Sequence, residues 1–287
     1  MSLKIIIWDV QHGSATYMRT PNGTHIVKDL GTGSFGEKDR KFSPLIHLKN
    51  KYDISQLDYV IISHPHKDHI DDILNFDKLS PRVFCRPKHL SSEDIMKDAR
   101  EEDKPLFEKY LEINDRYNQP VPDSENPSLP ANNGGVEIAN FHPKKSSTTN
   151  LNNHSIVTII SYADSKIIIP GDNEPSSWKE LLENESFIKS IRDSDIFVAP
   201  HHGRESGYCP EIFEYFKPYL TIISDDVETD TSATDRYSKL SQGWKVHHRD
   251  GSASEERKCV TTRNDGFIVI DFGTNSDGKP YISVKIA

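Results

Sequence analysis

The chain has 287 residues, 34% hydrophobic and 28% charged, with a formal net charge of −9 and three cysteines. That length and apolar content suffice to bury a sizeable core, while the acidity argues against loose, charge-driven binding to nucleic acid. Cys85, Cys209 and Cys259 stand far apart with no C-x-x-C pair, which excludes a compact thiolate zinc site and a disulfide-stapled scaffold and points to a reducing compartment.

In chain order, "LKIIIWDV", "ATYMRT" and "HIVKDLG" read as strands, with the Asn-Gly of "TPNGTH" forming a hairpin turn between the last two. The apolar run in the first is too short for a signal peptide, and no later run approaches the roughly 20 residues a membrane helix needs, so a cytoplasmic protein is expected. "LDYVIIS" and "RVFCR" continue the strands, and "HKDHIDDILNF" between them has helical spacing. Residues from about 87 to 135 are polar and rich in proline. They read as an insertion of one or two helices, in "SSEDIMKDAR" and "EDKPLFEKYLEINDRYN", followed by a loop ending in "PSLPANNGG". Such an insertion suits a lid.

"VEIANFHP", "SIVTIISYA" and "KIIIPG" are again strands, "PSSWKELLENESFIKSI" a helix, and "DIFVAP", "YLTIIS", "FIVIDF" and "YISVKI" complete the strand series. "TSATDRYS" is expected to be a surface loop and "VHHRDG", with His247 and His248, a turn. Several strands are continuous apolar runs, as expected of strands covered on both faces. The whole of 1–287 is therefore expected to form a single domain of mixed α and β structure.

Residues 64 to 72, "HPHKDHIDD", concentrate donors that make poor core material directly behind an apolar strand. His64 and His66 are two residues apart on an extended backbone held out of helix by Pro65, so they project to one side. Asp68 and His69 follow where the chain enters a helix and can reach a second ion. Asp29 and Asp172 each follow an apolar strand beside a glycine, where an aspartate can also simply close a turn.

These residues carry a resemblance. "SHPHKDHIDD" resembles the second motif of the metallo-β-lactamase fold superfamily, "KDLGTG" the first, "IIIPGDNE" the fourth and "VAPHHGRESG" the fifth. The resemblance implies a four-layer αββα sandwich, two mixed sheets flanked by helices, with a metal-dependent hydrolytic site at one edge. It implies metal ligands at His64, His66, Asp68, His69, Asp172 and one of the pair His201 and His202. His201 is favoured as the ligand and His202 as a catalytic group facing substrate, beside the catalytic carboxylates Asp68 and Asp172. Asp29 is implied as a brace for the metal-binding loop. The third-motif histidine is expected at His154, with His142 of "FHP" as the alternative.

A closer resemblance is to the soluble domain of the ComEC DNA-uptake channel and its stand-alone relatives, carried by "WDVQHGSATYMRTPNGTHIVKDLG", "NNHSIVTIISYADSKIIIPGD" and "APHHGRESGYCPEIFEYFKPYLTIIS". His12 and Ser14 of "DVQHGSA" depart from that subgroup's usual pattern. Two divalent ions sharing Asp172 would activate a water at an ester, and imidazoles with carboxylates but no thiolate suit zinc or manganese. The expected activity is that of a phosphodiesterase or nuclease, with a small-metabolite ester, phosphocholine ester, lactone or thioester as the alternative substrate. A binding role without chemistry is the least favoured reading. Between Arg236 and Arg263, seven basic residues face three acidic ones. Arg236, Lys245, Arg249 and Arg257, with Tyr237 and Trp244, are the expected contacts for a single-stranded nucleic acid.

Overall fold

A computed structural model of the chain describes residues 1–33, 42–97, 99–144, 149–225 and 232–287. Among these, the strands assemble into two mixed sheets. The nine-stranded sheet runs, edge to edge, Ser254–Arg257, Trp244–His248, Pro280–Ile286, Ile268–Thr274, Ser2–Ile7, Thr16–Arg19, His25–Lys28, Tyr59–Ile61 and Val83–Cys85. The six-stranded sheet runs Cys259–Thr261, Leu220–Ile223, Ile196–Val198, Ser165–Ile169, Val157–Tyr162 and Glu137–Phe141.

The alternation of side chains along a strand explains the layering. Ile5 and Ile7 pack between the sheets with Ile167 and Ile169, whereas Ile6 packs on the outer face with Leu45, Leu48 and Tyr110 from helices. Ile168 points the other way, into a third cluster with Trp178, Phe187 and Tyr237. Both sheets are thus apolar on two faces, which is why their strands read as continuous runs, and the result is the expected αββα sandwich. The fully buried Lys28 donates through Nζ to Ile156 O at 2.9 Å and joins the sheets near the rim described below.

The insertion supplies two helices, Ser92–Met96 and Lys104–Arg116. The first starts on a capping box, Ser91 Oγ accepting from Asp94 N while the Asp94 carboxylate accepts from Ser91 N. The second buries Leu106, Phe107, Tyr110 and Ile113, the i, i+3, i+4 stripe of an amphipathic helix. The run after Pro175 divides into helices Pro175–Leu181 and Glu185–Ile191, because Asn184 caps the second through Ser186 N and Phe187 N.

Two expectations are corrected and one helix is added. "TSATDRYS", whose Thr231 lies outside the described residues, leads into a helix, Thr234–Leu240, that buries Tyr237 completely. His247 and His248 lie on a strand, Trp244–His248, with the turn after them. Helix Pro44–Lys51, capped by Ser43, was absent from the sequence reading.

Candidate active site

Loops from both sheets meet at one rim because the strands that feed them run parallel. His25–Lys28 and Tyr59–Ile61 pair in parallel, so Asp29 and the Ser63–His69 segment leave the first sheet on the same side. Ser165–Ile169, Ile196–Val198 and Leu220–Ile223 are likewise parallel, and Asp172, the His201–His202 pair and Ser224 follow their carboxyl ends. Such ends are where open α/β sheets gather ligand-binding groups.

The loops are drawn tight around Asp68. Its carbonyl accepts from Ser14 N at 3.2 Å, Leu30 N donates to His69 O at 2.8 Å, and Asp29 N donates to Ile61 O at 2.8 Å. A Cβ on Gly31 would lie 2.6 Å from Asp68 O, so only glycine admits that approach.

Asp68, His69, Asp172 and His202 each present one donor atom, all within 4.8 Å of one another. His69 Nε2 lies 3.2 Å from Asp172 Oδ1 and 3.9 Å from Asp68 Oδ2. His202 Nε2 lies 3.1 Å from Asp68 Oδ2 and 3.5 Å from Asp172 Oδ2. The far side of each imidazole is already committed. His69 Nδ1 is hydrogen-bonded to Ser63 Oγ at 3.1 Å and lies 3.1 Å from Asp29 Oδ2, the other Asp29 oxygen accepts from Ser63 N at 2.6 Å, and His202 Nδ1 donates to Ser224 O at 3.1 Å. In the neutral ring each bond leaves the Nε2 lone pair facing the two carboxylates, an arrangement suited to a metal ligand.

Without an ion, the two imidazoles and the carboxylates balance one another's charge. Burial works to lower both imidazoles, but Asp172, Asp29 and Asp68 outweigh it and raise His69 well above its ordinary value, and Asp172 and Asp68 raise His202 to about 10. Burial likewise works to raise Asp68 and Asp172, yet His69 and His202 hold both below the usual carboxylate range. The carboxylates stay ionised, and a divalent ion would take the place of the two imidazolium protons between the rings and the carboxylates. His69 Nε2 is buried and makes no hydrogen bond despite its acidic neighbours. The donor set of two imidazoles and two carboxylates, with that orphaned nitrogen, fits a divalent metal ion.

His64 and His66 form an adjoining group. His64 Nε2 lies 3.0 Å from His66 Nδ1 and 4.0 Å from Asp172 Oδ2. Ser63 Oγ and Ser155 Oγ both sit 3.2 Å from His64 Nδ1, turning Nε2 toward the site. Burial first, then His69 and His66, press His64 well below its ordinary value, so it is a neutral donor. Asp172 faces both groups, its backbone N–H held by Ser155 Oγ at 3.0 Å.

The remaining expected residues fall outside these groups. His154 is buried and its Nδ1 lies 2.8 Å from His89 Nε2, with His142 stacked on His89 at a centroid distance of 5.3 Å. His202, and not His201, joins the converging donors. Residues 201 to 203 all take positive φ, 51°, 54° and 72°, and this tight turn sends the two imidazoles to different sides. His201 Nδ1 instead lies 2.9 Å from Ser206 Oγ and 3.7 Å from Glu174 Oε1.

Two neighbours had weak sequence signals. His12 Nε2 approaches Asp68 Oδ2 at 3.4 Å, and its ring lies 4.7 Å from that of His202; the departure at "DVQHGSA" was its only mark. Glu174 receives Asn150 Nδ2 at 2.9 Å and Asn152 Nδ2 at 3.3 Å, and its backbone N–H donates to Asn153 Oδ1 at 3.2 Å. Glutamate after "PGDN" carries no signal of its own.

Residues 8–208 match the family described as the metallo-beta-lactamase superfamily, and the chain belongs to it. No curated protein sequence matches the chain. Among solved structures it is similar to a diphosphatase from the PhnP family, at 11% identity over 94% of this chain and 98% of that one, with a TM-score of 0.48. It is also similar to CmlA, a diiron β-hydroxylase from Streptomyces venezuelae, at 14% identity over 77% and 44%, TM-score 0.43. A third is AidC, a dizinc quorum-quenching lactonase, at 17% identity over 55% and 57%, TM-score 0.32. The chain is thus a hydrolase-superfamily member with a His/Asp cluster at its rim, and among the described residues no helix is long and apolar enough to cross a membrane.

Proposed function

We propose that the protein is a metal-dependent phosphodiester hydrolase acting on a small, nucleotide-sized anionic ester. The observation that carries this reading is a cavity of about 290 Å³ that shares His12, His66 and Asp68 with the candidate site. Arg100 adds positive charge to its lining, Lys67 is offset there by Asp103, and Ile95, Phe107 and Leu151 add apolar surface. A guanidinium beside the site favours a phosphate ester over a neutral one, and the apolar wall suits the diester's organic substituent and thins the water around it. The resemblance of "NNHSIVTIISYADSKIIIPGD" and "APHHGRESGYCPEIFEYFKPYLTIIS" to the DNA-uptake domain favours the same class, while "DVQHGSA" departs from its pattern.

When bound, divalent ions supply water activation and electrostatic stabilisation at the ester. Asp68, His69, Asp172 and His202 would hold one ion, and His64 and His66, with Asp172 shared, a second. The protein's own part is to orient: Asp29 and the Ser224 carbonyl fix the imidazoles of His69 and His202. Arg100 is 77% exposed, 4.0 Å from Glu102, and is available to an incoming phosphate. Lys67 is tied to Asp103 at 2.6 Å and helps anchor the insertion over the site.

A polymer contact through the C-terminal basic stretch has less support. Tyr237 is inside the core, Arg257 pairs with Glu255 and Asp265, and Arg236 pairs with Glu205. The apolar share of the cavity wall favours one second reading, hydrolysis of a carboxylic ester or lactone with an acyl tail.

The test compares bis(p-nitrophenyl) phosphate, labelled oligonucleotides, an aryl ester and a lactone with zinc or manganese, in the wild type and in Arg100→Ala. The expected result is turnover of the small diester and a KM about fivefold to tenfold higher in the variant, worth about 1 to 1.4 kcal/mol. Turnover of the carboxylic ester or lactone alone would replace this reading with the second.

A further inference from the structure

Another cavity, of about 540 Å³, lies away from the rim and shares no lining residue with the one beside Asp68. It is bounded by the edge strand Val83–Cys85, the carboxyl end of helix Lys104–Arg116 and the chain from Gln119 to Pro122. In a chain of net charge −9, its wall carries four cations, Arg82, Arg86, Lys88 and Arg116, and one carboxylate, Glu125.

Two of these cations meet carboxylates and two do not. Arg82 lies 3.4 Å from Asp58 and 3.7 Å from Glu125, and Arg116 lies 2.6 Å from Asp77. Arg86 donates through Nε to Asn114 Oδ1 at 2.8 Å, and through Nη2 to Asn114 O at 2.6 Å and Tyr117 O at 2.7 Å. Its Nη1 donates to Phe84 O at 3.2 Å. These bonds tie the helix end to the edge strand, which accounts for the place of Arg86 in the fold. All four acceptors are uncharged, however, and one of the five guanidinium N–H donors, on Nη1, is left over. Lys88 is exposed and makes no ion pair or hydrogen bond among the described residues. A helix carboxyl end contributes about −0.5 charge, so Arg86 and Lys88 leave roughly 1.5 positive charges facing the cavity.

The edge strand adds a backbone donor. Val83 N donates to Asp58 O at 3.0 Å and Cys85 O accepts from Ile62 N at 2.8 Å, so the residue between them turns its N–H and C=O away from the neighbouring strand. The Phe84 C=O meets Arg86 on that outer side, and the Phe84 N–H, unbonded among the described residues, points the same way. Beside these donors the wall is apolar, with Tyr117 and the 41% exposed Val121.

We propose that this cavity binds a small organic phosphomonoester, its phosphate held by Lys88 Nζ, the spare Arg86 N–H and the Phe84 N–H, and its organic part against Tyr117 and Val121. A phosphomonoester carries about −1.5 to −2 charge at neutral pH and three acceptor oxygens, which suits three donors and the uncompensated charge better than a singly charged carboxylate does. The inference requires neither a metal ion nor hydrolysis, so it stands or falls apart from the function proposed above.

The experiment titrates the full-length protein, in the presence of a chelator, with phenyl phosphate and with inorganic phosphate. Calorimetry gives affinity and amide nuclear magnetic resonance gives location. Lys88→Ala and Lys88→Glu change an exposed side chain and should fold as the wild type does; Arg100→Ala controls for the cavity at the rim. The expected result is saturable binding of phenyl phosphate, tighter than that of inorganic phosphate and weakened by salt, with the Phe84 amide resonance moving at the same Kd. Kd should rise at least about fivefold in Lys88→Ala and about tenfold or more in Lys88→Glu, and stay unchanged in Arg100→Ala. No saturable binding below about 10 mM, or wild-type affinity in Lys88→Glu, overturns the inference. So does binding that is lost in Arg100→Ala and leaves the Phe84 amide unmoved, which would place the anion at the rim. Inorganic phosphate bound as tightly as phenyl phosphate overturns the assignment of the organic part.

Discussion

The rim of the sandwich and the C-terminal stretch from Arg236 to Arg263 are both rich in titratable residues, yet the fold treats them in opposite ways. At the rim, His64, His66, Asp68, His69, Asp172 and His202 point toward one another, and atoms such as His69 Nε2 are buried without a hydrogen bond. In the C-terminal stretch the charges close on local partners. Arg257 meets Glu255 at 3.0 Å and the buried Asp265 at 3.2 Å, and the Arg249 guanidinium lies 3.6 Å from the Phe267 ring centre. Donor density alone does not mark a site. What separates the two regions is whether the fold leaves the donors facing a shared space or satisfies them where they stand.

The largest effect expected from this contrast is at the rim. Asp68→Ala removes a carboxylate 3.1 Å from His202 Nε2 and 3.4 Å from His12 Nε2, and should lower kcat/KM by about a thousandfold or more, roughly 4 kcal/mol, with little change in unfolding temperature. A steady-state assay on a small diester beside a thermal melt checks it. Collapse of the fold would show that the cluster is structural.

Tyr237 gives the next largest effect, on stability. Its ring is fully buried among Phe197, Tyr208 and Phe213, so Tyr237→Ala should cost about 3 to 5 kcal/mol in denaturant unfolding. Its hydroxyl is buried with no hydrogen-bond partner, so Tyr237→Phe should be neutral or stabilising and leave turnover unchanged. Loss of activity in a stable Tyr237→Phe would restore a substrate role to the C-terminal stretch.

Asp29→Ala sharpens the rim itself. Asp29 touches His69 Nδ1 and Ser63 N, so its loss should weaken ion affinity by about tenfold to a hundredfold while leaving measurable turnover in excess metal. Metal titration in the variant checks this, and complete loss of binding would make Asp29 a ligand.

The smallest effect belongs to the surface. Asp77 accepts from Lys109 and Arg116, each at 2.6 Å, and these partners hold its carboxyl below the ordinary range. A depressed carboxylate contributes stability above its unfolded pKa and loses it as pH falls through the folded value. Because the group is half exposed, Asp77→Asn should cost no more than about 1 kcal/mol at neutral pH and less in acid. Paired unfolding curves at the two pH values measure it.

The same contrast explains what was legible in the sequence. Apolar runs such as "KIIIW" and "SIVTIIS" are buried on both faces, and the pattern that located them follows from the sandwich itself. Trp244–His248 and Ser254–Arg257 were missed because they extend the sheet edge with largely polar side chains, where no apolar period exists to read. Helix Thr234–Leu240 was missed because Tyr237 is its only buried residue. At the site, spacing sufficed for the compact segment from His64 to His69, where neighbours in sequence are neighbours in space. The loop positions were harder. Which of His201 and His202 turns inward depends on consecutive left-handed residues, and the setting of His154 depends on its contact with His89, 65 residues away in the chain. Neither is encoded by a local period.

The most direct test of the central claim, that the converging rim residues form a divalent-metal site, is elemental analysis of the protein after dialysis against zinc or manganese. It should be made on the wild type and on Asp172→Ala. The account predicts about two ions per wild-type chain and loss from both positions in the variant, because Asp172 faces both groups of donors. A folded wild-type protein that retains no ion, or an Asp172→Ala protein that retains the full complement, would contradict it.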